Sequence, residues 1–245
     1  MKKLKVFLTL SFGWIILVGY LVWANGLLAR GSKTFRWDEW IWFGLVPALA
    51  PYIFYYIWKP EVIKNIFKGT DKNSYHSYIE NFYEKEFEPY KESKIDLLEI
   101  GIETGGSLKL WKEYFLNSKS VVGVDISDEK IDQRYKNIDG IIMHFGDAYD
   151  EKFSKKFKQF DIIIDDGPHT LESQLKSIKF YLPKLKQNGL FIIEDIQSVE
   201  HFDILIDKSK EVCESIDNQV EYCVECIDLR DKKGRWDDLI FLIRS

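Results

Sequence analysis

Two long runs without a charged residue occur in the first part of the chain. Residues 6–29 separate Lys5 from Arg30 and would form a helix about 36 Å long at roughly 1.5 Å per residue, which exceeds a hydrocarbon core of about 30 Å. Residues 40–58 would span about 28 Å by the same rise, which is just sufficient. The pattern predicts a transmembrane helical hairpin over residues 1–60. A cleaved signal peptide is the alternative for the first run, and a buried core helix is the alternative for the second.

The basic residues around these two runs predict an orientation in the membrane. Seven of them flank the outer ends of the hairpin, and three lie in the loop between the runs. Because cytoplasmic loops carry an excess of Lys and Arg, we expect both termini and the downstream domain to lie in the cytoplasm. The sequence therefore predicts a membrane protein with two spans, for which the lipid bilayer is one partner.

Beyond residue 60, short apolar runs alternate with segments of helical spacing. Residues 61–90 predict a helical connector that covers a ligand site, and residues 91–245 predict the main domain. Continuous apolar runs are typical of strands buried on both faces of a parallel sheet, and here they cover residues 95–100, 120–126, 140–145, 160–165 and 189–194. Helical segments at 107–116 and 171–185 lie between them. This order predicts an α/β fold with a doubly wound, Rossmann-like sheet. Strands at 220–229 and 237–244, joined by a turn at 231–234, predict a C-terminal antiparallel hairpin.

The charge distribution excludes one class of partner. Residues 1–60 carry a net charge of +5 and the remainder carries −10, within a total of −5. An acidic domain argues against nucleic acid as a partner, because phosphate binding requires a basic face.

The chain has three cysteines, all between Cys213 and Cys226, which excludes a disulfide-dense secreted scaffold. The oligomeric state is left open.

Candidate binding residues follow the first three predicted strands, at the sheet edge where ligands bind in open α/β folds. A glycine-rich loop allows a ligand to approach the backbone, and the helix N-terminus behind it favours an anion, although a tight turn is the alternative. Asp125 could accept both hydroxyls of a ribose, or could instead cap a helix. Asp147 could contact an adenine edge, or could belong to a simple turn. The loop residues are Glu99, Gly101, Gly105, Gly106 and Ser107.

Two pairs of adjacent carboxylates follow the fourth and fifth strands. Asp165 and Asp166 end one apolar run, and Glu194 and Asp195 end the next. Buried carboxylates are costly unless they are paired, and oxygen atoms that converge from two strand ends suit Mg²⁺ or another divalent cation. His169 lies beside the first pair and is a natural general base. Solvated loops with capping aspartates are the alternative for each pair.

Taken together, the motifs from about Thr70 to the C-terminus resemble class I S-adenosylmethionine-dependent methyltransferases. Among these, the metal-dependent sugar O-methyltransferases of macrolide biosynthesis and the related cephalosporin hydroxylase-like group are the most similar. The motifs that carry the resemblance are Thr70-Asp71-Lys72 with His76 and Tyr78, Leu98-Glu99-Ile100-Gly101, Gly105-Gly106-Ser107-Leu108 with Trp111, Gly123-Val124-Asp125, Gly146-Asp147, Asp165-Asp166-Gly167 with His169, and Ile193-Glu194-Asp195.

The resemblance implies a role for each of these positions. The cofactor would be S-adenosyl-L-methionine, with its methionine end near Glu99, Gly101 and Ser107, its ribose on Asp125, and its adenine beside Asp147 and Ala148. Gly105 would belong to the cofactor-binding loop. Asp165 would belong to the same cofactor site. Asp166, Glu194 and Asp195 would bind Mg²⁺, and His169 would be the catalytic base. His76 and Tyr78 could cover the cofactor pocket or could simply pack.

The resemblance leaves the substrate less defined than the chemistry. Pro168 stands where the group usually has Ser, and the chain carries the predicted hairpin in place of the additional N-terminal segments of the macrolide enzymes. We expect a membrane-anchored, Mg²⁺-assisted O-methyltransferase that acts on a hydroxyl of a sugar, a lipid-linked glycan or a similar small acceptor. The alternative is a catalytically silent membrane scaffold or binding protein with a methyltransferase fold. A monooxygenase role is less favoured, because no residue suggests a flavin or redox-metal site.

Overall fold

A computed structural model describes residues 69–216 and 222–245 of the chain. The chain divides into two units, Met1–Asn65 and Ile66–Ser245, and all of the described residues belong to the second. Both predicted membrane spans therefore lie outside the described residues. In the part that is described, none of the helices is both long and apolar enough to cross a bilayer.

The described residues form one seven-stranded sheet in the order β3-β2-β1-β4-β5-β7-β6. Strand β7 runs antiparallel to both of its neighbours, and the pairings among the first five strands are parallel. The predicted α/β sheet with a C-terminal antiparallel hairpin is therefore confirmed. The strands are β1 (Asp96–Ile100), β2 (Ser120–Asp125), β3 (Ile141–Phe145), β4 (Phe160–Asp165), β5 (Leu185–Ile193), β6 (Cys223–Asp228) and β7 (Leu239–Arg244).

Helical segments connect the strands and cover the sheet. The α-helices are α1 (Asp71–Ser74), α2 (Glu84–Phe87), α3 (Gly106–Tyr114), α4 (Glu151–Ser154), α5 (Leu171–Tyr181), α6 (Glu200–Ile216) and α7 (Arg230–Lys233). A π-helix covers Ile79–Tyr83, and 3₁₀ turns cover Glu88–Tyr90 and Leu182–Lys184.

Side chains from the two faces of the sheet form two separate core clusters. On β1, Leu97 belongs to one cluster and Leu98 to the other, because successive side chains of a strand point to opposite faces. The first cluster also contains Tyr83 and Trp111, which lie on the helical segments before β1 and after it. The second contains Tyr181 of α5 and Leu205 of α6. Burial on both faces is the reason that the central strands are continuously apolar.

Three local predictions differ from the structure. The helical connector predicted over residues 61–90 is not one continuous helix in its described part, since α1, the π-helix, α2 and a 3₁₀ turn follow one another from residue 71 to residue 90. The helix predicted to end at residue 185 ends at Tyr181, because Pro183 lies in a 3₁₀ turn that leads into β5. The predicted turn at 231–234 is the single helical turn α7, which Gly234 ends with a left-handed φ of 72°. Helix α6 was not predicted.

Candidate functional site

A cavity of about 1080 Å³ opens at the carboxyl ends of the parallel strands. Its size suits a cofactor-sized ligand. Nine of the predicted site residues line it, namely Gly101, Gly106, Ser107, Asp125, Asp147, Ala148, Asp166, His169 and Asp195. The other four predicted site residues, Glu99, Gly105, Asp165 and Glu194, are not among the lining residues. The sheet thus brings together most of the set that the sequence indicated, while three of its carboxylates are buried beneath the cavity surface.

The loop after β1 requires glycine for close approach between two strand ends. Gly101 has a left-handed φ of 81°, and a Cβ at this position would lie 1.9 Å from the carbonyl oxygen of Asp166. Gly105 has a φ of 85° and is the N-cap residue of helix α3. These conformations are readily available only to glycine. The first glycine therefore permits the cofactor-type loop to lie directly against the loop that carries Asp166.

Asp125 links the ends of β1 and β2 through its carboxylate. Oδ2 accepts hydrogen bonds from the backbone N–H groups of Ile102 at 3.0 Å and Glu103 at 2.9 Å. Oδ1 accepts a third from the N–H of Ile126 at 2.7 Å. Asp125 therefore orders the loop around the cavity that its carboxylate also lines, and its predicted contact with a ribose stays a prediction.

Asp165 supports the site from below. Its Oδ1 accepts hydrogen bonds from the hydroxyl of Tyr149 at 2.6 Å and from the backbone N–H of Gly167 at 3.2 Å. Burial raises the pKa of Asp165 to about 6, and the hydrogen bond from Tyr149 opposes that rise. These contacts hold the turn that carries Asp166 and His169. A direct contact between Asp165 and a cofactor stays a prediction.

Three side chains at the ends of β4 and β5 could hold a metal ion. Ligand atoms of Asp166, His169 and Asp195 all lie within 4.8 Å of one another. Nε2 of His169 lies 3.9 Å from Oδ1 of Asp166 and 3.8 Å from Oδ2 of Asp195. The hydrogen-bond ladder of the sheet positions the two turns, since the N–H of Asp166 donates to the carbonyl of Ile100 at 2.8 Å. Oxygen and imidazole ligands of this kind suit a divalent cation.

The backbone at two of these residues is strained. His169 has a φ of 58° and Asp195 a φ of 53°, both in the left-handed region that side chains with a Cβ disfavour. Such conformations cost on the order of 1–3 kcal/mol each and persist where the surrounding structure imposes them. Their occurrence at adjacent strand ends, on residues with chemically active side chains, supports a functional role for this edge.

A lysine that the sequence analysis did not assign to the site lies among these carboxylates. Nζ of Lys72 lies 2.7 Å from Oδ2 of Asp166, and 2.7 and 2.8 Å from the two carboxylate oxygens of Glu194. It also lies 3.4 Å from Oε1 of Glu99. The Lys72 side chain is only 1% exposed. The motif Thr70-Asp71-Lys72 indicated that this segment matters, but its spacing along the chain did not reveal where the ammonium would be.

The charges of this cluster are unbalanced. Burial alone would lower the pKa of Lys72, but Asp166, Glu194 and Glu99 together raise it well above its ordinary value. Burial raises the pKa of Glu99 to about 7, although Lys72 opposes the rise. Burial also raises the pKa of Glu194 well above its ordinary value against the same opposition. Three carboxylates face one ammonium, so additional positive charge, from protons or from a metal ion, would stabilise the cluster.

Residues from the segment before β1 complete the site. The hydroxyl of Tyr78 donates to Oδ1 of Asp195, and the hydroxyl of Tyr83 donates to Oε1 of Glu194. Nδ1 of His76 lies 2.6 Å from Oδ1 of Asp238 and 3.7 Å from Oδ1 of Asp195. His76 and Tyr78 therefore orient a candidate metal ligand. Their predicted covering of a cofactor stays a prediction.

The chain is similar to curated sugar O-methyltransferases, although no protein-family model matches it. It is 32% identical over 138 residues to the 8-demethyl-8-α-L-rhamnosyl tetracenomycin-C 2′-O-methyltransferase of Streptomyces olivaceus. This alignment covers 53% of this chain and 36% of that protein. It is 30% identical over 140 residues to the mycinamicin VI 2″-O-methyltransferase of Micromonospora griseorubida, over 52% of this chain and 33% of that protein. The matched stretch spans about a third of the length of these relatives.

The fold is shared with a solved methyltransferase structure. The methyltransferase MycE of the mycinamycin pathway, in complex with Mg and SAH, aligns with a TM-score of 0.55 and 22% identity over 75% of this chain and 53% of that chain. A second structure of MycE, with Mg, SAH and mycinamycin VI, aligns with a TM-score of 0.54. The resemblance that the motifs indicated is confirmed: the chain has the fold of S-adenosylmethionine-dependent methyltransferases, and its sequence resembles the sugar O-methyltransferases of macrolide and tetracenomycin pathways.

Proposed function

We propose that the chain is an S-adenosylmethionine-dependent O-methyltransferase that methylates a hydroxyl group of a sugar with the help of a divalent cation. One observation carries the proposal. A single cavity is lined by the glycine loop, Asp125 and Asp147 and also by the cluster Asp166, His169 and Asp195. Methyl transfer to a metal-bound hydroxyl requires that the cofactor-binding residues and the metal-binding residues line the same cavity.

The lining residues fit the cofactor in their chemistry. When bound, S-adenosylmethionine would supply the methyl group that is transferred. The carboxylate of Asp125 has about four lone-pair sites and accepts hydrogen bonds from three backbone N–H groups, two on Oδ2 and one on Oδ1, so Oδ1 keeps one site for a ribose hydroxyl. Ser107 and Gly101 line the same cavity beside the N-terminus of α3. The glycine loop would therefore position the cofactor. The turn at Gly101 keeps this loop in contact with the loop that carries Asp166.

The donor set at the ends of β4 and β5 fits a divalent cation. When bound, the cation would lower the pKa of a coordinated substrate hydroxyl. Asp166 and Asp195 offer carboxylate oxygens at the cavity surface. Glu194 is 2% exposed and its oxygens are hydrogen-bonded to Lys72, so its predicted role as a ligand depends on whether that ammonium moves.

His169 acts as the base in this proposal. Its Nε2 lies 3.9 Å from Oδ1 of Asp166 and 3.8 Å from Oδ2 of Asp195, beside the position of a hydroxyl held at these carboxylates, so in this proposal the nitrogen takes the hydroxyl proton and leaves the cation to the two aspartates. The strained backbone at His169 holds the ring at this edge of the sheet. The loss of the proton leaves an alkoxide as the nucleophile.

We also propose that residues 1–60 anchor the enzyme in a membrane, with the enzymatic domain and both termini in the cytoplasm. The support is the sequence pattern of two uncharged runs and the excess of basic residues outside them. An anchor would favour a lipid-linked glycan as acceptor over a freely diffusing glycoside. Extraction of membranes with alkaline carbonate, followed by protease protection of the C-terminus, tests this. Release of the chain into the soluble fraction would contradict it.

Binding of the cofactor tests the core of the proposal. S-adenosylmethionine is titrated calorimetrically into the full-length chain with and without Mg²⁺, using wild type, Asp125→Asn and the control Asp128→Asn. Asp128 is a suitable control because it follows the same strand, is exposed, and pairs with Lys136 at the surface. We expect Asp125→Asn to weaken binding at least about tenfold, as loss of a charge-assisted hydrogen bond does, and the control to bind like wild type. A folded wild-type chain that binds no cofactor would remove the methyltransferase function and favour a silent scaffold.

Transfer of the methyl group tests the base. Radiolabelled S-adenosylmethionine is incubated with a rhamnoside acceptor, Mg²⁺ and either wild type or His169→Ala. We expect the variant to retain cofactor affinity and to lose at least about a hundredfold in transfer rate, which is the usual contribution of a general base. Transfer at the wild-type rate would show that His169 is not the base.

A further inference from the structure

The structure contains a cation of its own beside Asp166, one of the carboxylates that would hold the proposed metal ion. We propose that Lys72 is the counter-cation of the carboxylate cluster in the metal-free protein, and that its ammonium competes with the divalent cation for the charge of the same carboxylates, Asp166 and Glu194. This inference rests on the cation site of the proposed function. It adds that the Lys72 ammonium has two effects: it lowers the affinity of the site for a metal ion, and it stabilises the carboxylate cluster when no metal ion is bound.

The competition follows from a carboxylate that both groups share. Asp166 directs Oδ2 to Nζ of Lys72 at 2.7 Å and Oδ1 toward Nε2 of His169 at 3.9 Å. Its neighbour Glu194 is engaged more completely, because both of its oxygens lie within 2.8 Å of the same ammonium. A metal ion that takes Glu194 must therefore displace the ammonium or share an oxygen with it, whereas a metal ion on Oδ1 of Asp166 binds the carboxylate whose other oxygen the ammonium holds.

Electrostatics sets the sign of the effect. Two cations that share carboxylates repel each other, and little water screens the repulsion on the side of Lys72 and Glu194, which are buried. Lys72 is 1% exposed, so its side chain has no room to leave for solvent without movement of the segment that carries it. That segment is constrained, since a Cβ on Gly106 would lie 1.7 Å from the carbonyl oxygen of Gly69. Removal of the Lys72 charge should consequently strengthen metal binding rather than abolish it.

The same charge stabilises the metal-free fold. Without it, the buried carboxylate of Glu194 would lose its charged partner and keep, among residues 69–216 and 222–245, only its hydrogen bond from Tyr83. An unpaired buried charge is strongly destabilising. A bound divalent cation would restore the missing charge, so the variant should depend on metal for stability to a degree that wild type does not.

Metal binding alone, without any turnover, tests the inference. Mn²⁺ is titrated into full-length wild type, Lys72→Met and Lys186→Met, and free Mn²⁺ is measured by electron paramagnetic resonance. Lys186 is a matched control because its Nζ bridges two carboxylates, Asp96 at 2.7 Å and Asp161 at 2.8 Å, at the opposite ends of the strands. We expect Lys72→Met to bind Mn²⁺ at least about tenfold more tightly than wild type, and the control to bind like wild type.

Thermal unfolding of the same proteins gives a second readout. We expect Lys72→Met to unfold at a lower temperature than wild type in EDTA and to gain more from Mn²⁺ than wild type does. Lys72→Gln, whose neutral amide can still donate hydrogen bonds, should follow the same trend. Failure of both variants to fold in saturating Mn²⁺ would overturn the inference, since the metal ion should replace the lost charge.

The outcomes separate this inference from the proposed function. Wild type that binds Mn²⁺ with the same affinity as Lys72→Met would overturn the competition and leave the cation site intact. Weaker binding by Lys72→Met would also overturn it, because Lys72 would then organise the ligands instead of competing with the metal. Absence of Mn²⁺ binding by folded wild type would overturn both.

Discussion

The buried carboxyl of Glu99 should make the stability of the metal-free protein depend on pH. Its side chain is 0% exposed on β1, and burial raises its pKa from 4.5 to about 7. Because the folded state binds this proton more tightly than the unfolded state, the stabilisation is complete below the ordinary pKa and is lost as the pH rises through about 7. Each pKa unit corresponds to about 1.4 kcal/mol, so the shift amounts to about 3 kcal/mol in total.

The substitution Glu99→Gln isolates this contribution. Oε2 of Glu99 accepts hydrogen bonds from the hydroxyl of Ser107 at 2.7 Å and from Nε1 of Trp111 at 3.0 Å. An amide oxygen can accept both, so the change removes a titrating proton while it preserves the packing. Between about pH 5 and about pH 8, wild type should lose about 2–3 kcal/mol more unfolding free energy than Glu99→Gln does.

Urea unfolding followed by far-UV circular dichroism measures the difference. The full-length proteins are compared in EDTA at several pH values, so that no metal ion contributes. Glu103→Gln serves as the control, because this exposed glutamate lies on the loop after the same strand and pairs with Lys130 at the surface. Its curve should run parallel to that of wild type. If the curve of Glu99→Gln also runs parallel to wild type, the argument from burial and charge imbalance is refuted.

Three further perturbations have defined outcomes. Gly101→Ala should lower the unfolding free energy by at least about 1–2 kcal/mol in urea unfolding, because the residue has a left-handed φ and its Cβ would clash with the neighbouring strand end. Gly234→Ala is the control: its φ of 72° is similar but nothing lies within 4 Å, so it should show the backbone cost alone. Phe191→Ala empties a fully buried position on β5 and should cost about 3–5 kcal/mol in the same assay; a cost below about 1 kcal/mol would contradict the described packing. Tyr149→Phe removes a hydrogen bond to Asp165 and should raise the pKa of that carboxyl above about 6, which titration by NMR would detect; a lowered pKa would contradict the assignment.

The sequence by itself determined the class of fold and the edge of the sheet where the chemistry lies. Buried parallel strands need apolar residues on both faces, so each strand can be recognised from its own stretch of sequence. At Phe160–Asp165 the predicted strand and the observed strand have the same bounds. Because the carboxyl ends of parallel strands meet at one edge of the sheet, the sequence was enough to predict that residues such as Asp125 and His169 lie at the same site. The resemblance added the identity of the proposed ligands.

Only the tertiary structure decided the order of the strands and the partners of the charged groups. No local pattern places β7 between β5 and β6, because pairing of distant strands depends on packing of the whole sheet. Lys72 and Glu194 are 122 residues apart in sequence, yet their charged atoms lie 2.7 Å apart. The sequence shows which side chains carry charge, but the free energy of a buried charge depends on its neighbours in space. For that reason, the candidate metal site could be anticipated from the sequence, and the ammonium within its carboxylate cluster could not.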